Sequence, residues 1–177
     1  MDTIHVLDFE GNRRLGISEF GVVTMRGFAI DSTRSEFCVR NFCGHAEYFL
    51  SLRRSGLLAA HSAQTEDHLL RHYWASPGQV PVFIESRQTL CWGPWIDTKL
   101  IYRRLFGGLK SYELNDLIDA FDLRANLALI AKKHCSTAAI GFHNALFDAL
   151  AAALLIQNLR QHFSNVSLQT LISLCEQ

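Results

Sequence analysis

Three short stretches of this chain hold residues able to do metal-assisted chemistry. Asp8-Phe9-Glu10 comes first, His61-Ser62-Ala63-Gln64-Thr65-Glu66-Asp67 lies in the middle, and His143-Asn144-Ala145-Leu146-Phe147-Asp148 comes late. Asp8 and Glu10 end an alternating run that begins at Ile4, and strand alternation puts both carboxylates on one face while Phe9 turns into packing. Two like charges so placed repel unless a cation lies between them. Gly11 lets the backbone approach a ligand closely. A further acid in the middle stretch and Asp148, five residues after His143, bring the carboxylates to four. Asp148 falls in the first turns of an apolar helical pattern, where Ala149, Ala151 and Ala152 let a helix sit close to the sheet. His143 precedes that helix on a loop free to reach a water. Four oxygen donors and one imidazole are what two hard divalent cations and a general base require. The chemistry this set suits is displacement at phosphorus on a nucleic-acid chain.

The elements that must position these residues follow from periodicity. Ile4 to Phe9, Phe20 to Ile30 and Ser35 to Phe42 predict three strands of an antiparallel meander. Its turns are expected at Gly11 to Leu15 and at Asp31-Ser32-Thr33. Ala46 to Arg54 has helical spacing and Gly56 closes it. Leu57 to Ala60 suits a buried strand, and Thr65 to Trp74 a helix capped by Ser62 or Thr65. Pro77, Gly78 and Pro81 mark a loop. Leu90 to Ile96 predicts a strand, and Thr98 to Leu105 a helix broken by Gly107-Gly108. Ser111 to Leu114 starts a helix that runs to about Phe121, and Leu127 to Lys133, His143 to Phe163 and Ser167 to Cys175 complete the helical segments. Strands first, then strand and helix in alternation, predict an α/β fold with a mixed sheet flanked by helices.

Composition bounds the setting. A chain of 177 residues, 49% hydrophobic and 19% charged, can bury a sizeable core as a single domain over residues 1–177. A formal net charge of zero argues against a strongly basic, indiscriminate nucleic-acid binder but leaves room for a local basic groove. Cys38, Cys43, Cys91, Cys135 and Cys175 are odd in number and contain no C-x-x-C pair, which favours a reducing, cytoplasmic location over a disulfide framework. No secretory signal is visible and no stretch approaches a membrane span, so no membrane partner is expected.

Val6-Leu7-Asp8-Phe9-Glu10, Ala59-Ala60-His61-Ser62-Ala63 with its following acid, and His143-Asn144-Ala145-Leu146-Phe147-Asp148-Ala149 resemble, in order and spacing, the three motifs of the DEDDh exonucleases. This group of 3′→5′ exonucleases includes the proofreading epsilon subunit of DNA polymerase III and RNase T. Ser18-Glu19-Phe20-Gly21, Ile96-Asp97-Thr98 and Ser111 to Leu117 also resemble the family's intervening segments, so the similarity runs from about Ile4 to Leu159. The resemblance implies an RNase H-like fold with a mixed five-stranded sheet. It implies two divalent metal ions, Mg2+ or Mn2+, held by Asp8, Glu10, Glu66 and Asp148, with Asp8 bridging and His143 as general base. It places Phe9, Gly11, Asn12 and His61 along the substrate, the 3′ end of single-stranded DNA or RNA. Hydrolysis would release nucleoside 5′-monophosphates. An RNA 3′-end trimming enzyme, or a catalytically weak nucleic-acid-binding or partner-docking domain, are the alternatives. A polymerase or another repair protein is a possible partner, and the chain a monomer or a homodimer.

Two positions depart from the family pattern. The middle acid is usually Asp, five residues after the histidine; here that position is Glu66, with Asp67 next. The Leu69-Leu70 pair fits the helix register if Glu66 is the ligand, which favours it over Asp67. The family commonly has threonine after the first Glu, where this chain has Gly11-Asn12, so backbone contacts would replace a hydroxyl. Outside the motifs, Arg13-Arg14 could touch phosphate, whereas Trp92 and Trp95 suit packing better than base stacking.

Overall fold

The computed structural model describes residues 3–12, 14–38, 42–74, 79–82, 87–90 and 92–175 of the protein. Strands β1 (Thr3–Asn12), β2 (Gly16–Arg26) and β3 (Ala29–Phe37) form the expected meander. Two parallel strands, β4 (Leu57–Ala60) and β7 (Trp95–Asp97), extend it on the other side of β1 in the order β3-β2-β1-β4-β7. Helix α1 (Ala46–Ser55) precedes β4, and α2 (Ala63–Tyr73) follows it. A separate hairpin, β5 (Gln79–Val82) with β6 (Arg87–Leu90), stands between α2 and β7. Helices α3 (Thr98–Leu105), α4 (Leu114–Ala120), α5 (Arg124–His134), α6 (Ala145–His162) and α7 (Leu168–Cys175) complete the chain.

Alternation along β1 splits the core in two. Ile4 and Val6 face a large cluster built with α3, α4, α5, α6 and α7. Leu7 and Phe9 face a smaller, aromatic one with Phe20, Phe42, Phe49, Leu70 and Trp92. Helix α6 is buried along nearly its whole length and lies across β1 and β2. A helix enclosed on all sides needs an apolar sequence all round, and Ala149, Ala151, Ala152 and Ala153 give it a narrow girth that lets it lie against the sheet. The approach is tightest at Gly21, where an added Cβ would collide with the Ala145 backbone at the start of α6.

Several local expectations are corrected. The second hairpin turns at Gly27-Phe28, both at positive φ (56° and 69°), and residues 31–33 lie inside β3. A two-residue turn of this hand matches the twist of the flanking strands, and Gly27 supplies half of it. The first hairpin is shorter than expected because β1 continues to Asn12, past a register shift between Glu10 and Gly11. Gly56 does close α1, but in an extended conformation at φ −172°, and a side chain there would strike the Thr3 carbonyl. Helix α2 starts at Ala63, and its amides are capped from β7, not by Ser62 or Thr65. Pro81 lies in β5, not in a loop. Arg13, residues 39–41 of the strand expected over Ser35 to Phe42, Pro77, Gly78 and Cys91 lie outside the described residues, and Phe42 opens a 3-10 turn (Phe42–His45) instead of ending that strand. No described helix is long and apolar enough to cross a membrane.

Candidate active site

Asp8 and Glu10 point from β1 toward the α6 side of the sheet, as the burial of Ile4 and Val6 on that side requires. Glu19 sits opposite Glu10 on β2 and is buried. Paired residues in an antiparallel ladder share a face, so Glu19 joins the same group. The first amide of α6, from Ala145, donates to its carboxylate.

Helix α6 brings Asp148 in its first turn. The His143 backbone amide donates to Asp148 Oδ2 at 3.1 Å, while Asp148 Oδ1 is buried with no hydrogen-bond partner. Asn144 caps the helix by accepting from the Phe147 amide. His143 itself is exposed and sits at φ 68°, an uncommon backbone conformation for a residue with a side chain. The bond from its amide to Asp148 holds that conformation. Donor atoms of Glu10, His143 and Asp148 lie within 4.8 Å of one another.

Helix α2 brings Glu66, also in its first turn. The Phe9 amide donates to its carboxylate, and Glu66 Oε2 is buried with no partner. Asp67 turns the other way. Its Oδ1 accepts from the Trp92 amide at 2.7 Å and from Trp95 Nε1 at 3.1 Å, and Oδ2 pairs with Arg71. Asp67 therefore ties α2 to the turn before β7, and Glu66 alone of the two faces Asp8.

Electrostatics shows how close these acids are. Burial, then Asp148, Glu10 and Glu19, pushes Asp8 well above the ordinary carboxylate range. Burial, then Asp8, does the same to Glu66. Asp148 is pushed up to about 6, chiefly by burial, against the His143 amide that holds it down. Glu10 and Glu19 are raised by burial too. No lysine or arginine figures among the charges acting on these five described acids. Buried carboxylates are ordinarily paired with a cation or a metal. Two buried, partnerless oxygens at Glu66 and Asp148 aim into the same group, and hard oxygen donors are what Mg2+ and Mn2+ take. The residues present fit divalent cations.

Two residues expected along the substrate are placed elsewhere. The Phe9 side chain is buried in the smaller core against Phe42 and Phe49, because strand alternation sends it there. His61 has both ring nitrogens engaged: Nδ1 with Thr98 Oγ1 at 2.9 Å and Nε2 with the Tyr112 carbonyl at 3.0 Å. Burial pushes its pKa down to about 4, so it is a neutral tie between β4, α3 and the segment before α4. Gly11 and Asn12 line a cleft of about 590 Å3 with Leu15, Ser18, Phe42 and Tyr73, directly after Glu10 in the chain. Asn12 Oδ1 accepts from the Arg14 and Leu15 amides and so shapes the rim. Glu19 went unassigned in the sequence, although its signal was there: an acid placed to pair across a hairpin with Glu10.

Asp97 organises the middle stretch from below. Its carboxylate accepts from the Leu100 amide at the start of α3 and from the Ser62 and Ala63 amides at the start of α2. One side chain thus caps two helices, and Ser62 is held at φ 67° by the result. Thr98 adds a bond to the Ala60 carbonyl.

Mixed strand directions in the order β3-β2-β1-β4-β7, with helices on both faces, define the RNase H-like fold. Solved structures that it resembles include exonucleases of that fold. Exonuclease X, in complex with 5′ overhanging duplex DNA, matches 97% of this chain over 98% of its own length, with a TM-score of 0.59 and 15% identity. Exonuclease I from Methylocaldum szegediense, moderately thermophilic, matches 98% of this chain with a TM-score of 0.58 and 14% identity, over 42% of its own longer chain. No protein-family model matches the sequence, and no curated protein does.

Proposed function

We propose that the protein is a metal-dependent 3′→5′ exonuclease acting on single-stranded nucleic acid. One observation carries this: buried and half-buried acids from β1, β2, α2 and α6 converge with no described lysine or arginine acting on them, and His143 stands at their edge. Such a group is unfavourable until cations neutralise it. Asp8, Glu10, Glu66 and Asp148 would hold two Mg2+ or Mn2+ ions. Bound cations of this kind offset phosphodiester charge and acidify the attacking water. The 3′→5′ polarity rests on the three-motif resemblance, and nucleic acid as substrate gains support from exonuclease X, which holds DNA.

The chain's own groups divide the remaining work. The 590 Å3 cleft beside Gly11 and Asn12 takes the terminal nucleoside. A ring nitrogen of His143 accepts the proton of the attacking water, within reach of Glu10 and Asp148. Attack at phosphorus expels the 3′-oxygen of the preceding nucleotide, leaving a shortened strand and a nucleoside 5′-monophosphate.

The test is incubation of 5′-labelled DNA and RNA strands with the wild type and Asp8→Ala, in Mg2+ and in Mn2+. A ladder shrinking from the 3′ end is expected, with the variant at least about a thousandfold slower. Internal fragments, or equal cleavage by the variant, would overturn the mechanism. Retention of strand without shortening in both metals would favour a binding domain on the same fold. The relative rates on DNA and RNA assign the substrate.

A further inference from the structure

Glu19 is the one acid of the group to which the metal reading gives no task. It lies on β2 directly opposite Glu10 and is only 6% exposed. Its carboxylate accepts from the Ala145 amide, the first of α6. Two residues on, and so on the same face of β2, Gly21 leaves room for the Ala145 carbonyl and the Leu146 amide to press against the strand. Strand β2 thus seats the start of α6 with a clamp at Glu19 and a bare floor at Gly21.

The seat matters because of what precedes it. His143 comes two residues before Ala145, is exposed and sits at φ 68°. Residues 140–144 are all exposed or half-buried, so packing alone does not fix them. Their contacts run to α6 itself or to α5. The His143 amide donates to Asp148, Asn144 accepts from the Phe147 amide, and the Phe142 ring meets Phe147 at 5.1 Å and lies under Arg124. Among the described hydrogen bonds, Glu19 to Ala145 is the one that joins the start of α6 to the sheet carrying Asp8 and Glu10. The Glu10–Glu19 pair therefore grips both ends of one short stretch. Glu10 has an oxygen within 4.8 Å of a His143 ring nitrogen, and Glu19 holds the backbone just beyond. A carboxylate on the first amide of a helix makes a charge-assisted bond, stronger than a neutral acceptor would. Asp148 depends on that bond less, because α6 is buried from Ala145 onward and its core contacts hold the helix body.

We infer that Glu19 is a positioning residue for His143: by clamping the Ala145 amide to β2 it sets where the general base stands relative to Glu10. This rests on the nuclease reading and gives the fifth acid a role apart from the cations.

The test is a double-mutant cycle on kcat, at saturating Mn2+ and saturating single-stranded 12-mer, joined to amide hydrogen exchange at Ala145 in metal-free protein by NMR. Glu19→Ala should lower kcat about 30- to 100-fold, the cost of a group displaced by roughly 1 Å, and leave KM within about twofold. Glu19→Gln keeps an acceptor oxygen for the amide and should recover kcat to within about threefold of wild type. In a His143→Ala background, Glu19→Ala should cost less than about twofold more, because the two residues act as a unit. The Ala145 amide should be protected in the wild type and in Glu19→Gln, and should exchange about tenfold faster in Glu19→Ala. Losses that multiply in the double variant, a Gln variant as slow as the Ala variant, or equal Ala145 exchange in all three proteins overturns the role given to Glu19. A wild type that cuts no strand in Mg2+ or Mn2+ defeats the nuclease reading and the base with it, whereas an active wild type with any of those three results defeats the Glu19 role alone.

Discussion

Asp148 shows what a single buried carboxylate does to this molecule. In the unfolded chain an aspartate titrates near 3.9, whereas burial holds Asp148 at about 6. Between those values the folded form keeps a proton that the unfolded form has lost. Its contribution to stability is therefore complete below about pH 4 and lost as pH rises through about 6. Two pKa units correspond to about 3 kcal/mol. Asp148→Asn keeps an acceptor for the His143 amide and removes the charge. In chelator at pH 7.5 it should melt about 6–12 °C higher than wild type, and the gap should close by pH 4. A variant no more stable at pH 7.5 would contradict the strain assigned to this acid. The wild-type profile alone would mislead, because His61, lowered to about 4, and His5, also lowered by burial, shift stability in the reverse sense. At this scale the sequence was legible where spacing decides. Asp8, Glu10, Glu66, His143 and Asp148 gather at one end of the sheet. The division between Glu66 and Asp67 rested on helix register alone; the Trp92 and Trp95 partners that claim Asp67 lie 25 and 28 residues further on. His61 was harder to place, because its partners Thr98 and Tyr112 come from distant segments.

Among the elements, α2, α3 and α6 matter through their first turns. Asp97 caps both α2 and α3, so its removal strands amides at two helix starts. Asp97→Ala should cost about 2–4 kcal/mol in urea unfolding. Asp97→Asn keeps only one acceptor oxygen and should fall between. Activity should drop further than stability explains, because the turn leading to Glu66 loses its anchor. A loss below about 0.5 kcal/mol would show that Ser62 and Ala63 find other partners. The start of α6 is fixed differently, by the bare backbone at Gly21 and the Glu19 carboxylate on the Ala145 amide. Element types were readable from periodicity in most places. Thr98–Leu105 falls where its pattern put it. The β2–β3 turn was misplaced because Asp31-Ser32-Thr33 has turn chemistry, whereas Gly27-Phe28 has only one residue suited to positive φ. Pro81 was read with Pro77 and Gly78 as marking a loop, because proline is uncommon inside strands, yet it lies within β5.

For the whole molecule, sheet order follows from chain order with little ambiguity, and the fold matches exonuclease X across nearly all of both chains at only 15% identity. A fold shared at that distance reflects how freely the two cores can be refilled. Charge is distributed unevenly within a chain whose formal total is zero. Five acids crowd one end, and no described lysine or arginine figures among the charges acting on them. The same crowding acts on the approaching polymer. Nucleic acid is a polyanion, and an empty acidic mouth repels it. If the proposed function holds, divalent ions would admit the substrate as well as assist its cleavage, and the encounter would have a fixed order, ion before strand. His143→Ala leaves every carboxylate in place and should hold a fluorescent single strand in Mg2+ by anisotropy, then release it on addition of chelator. In a cell, such a protein would idle wherever free divalent ions are scarce, sparing the ends it could otherwise erode.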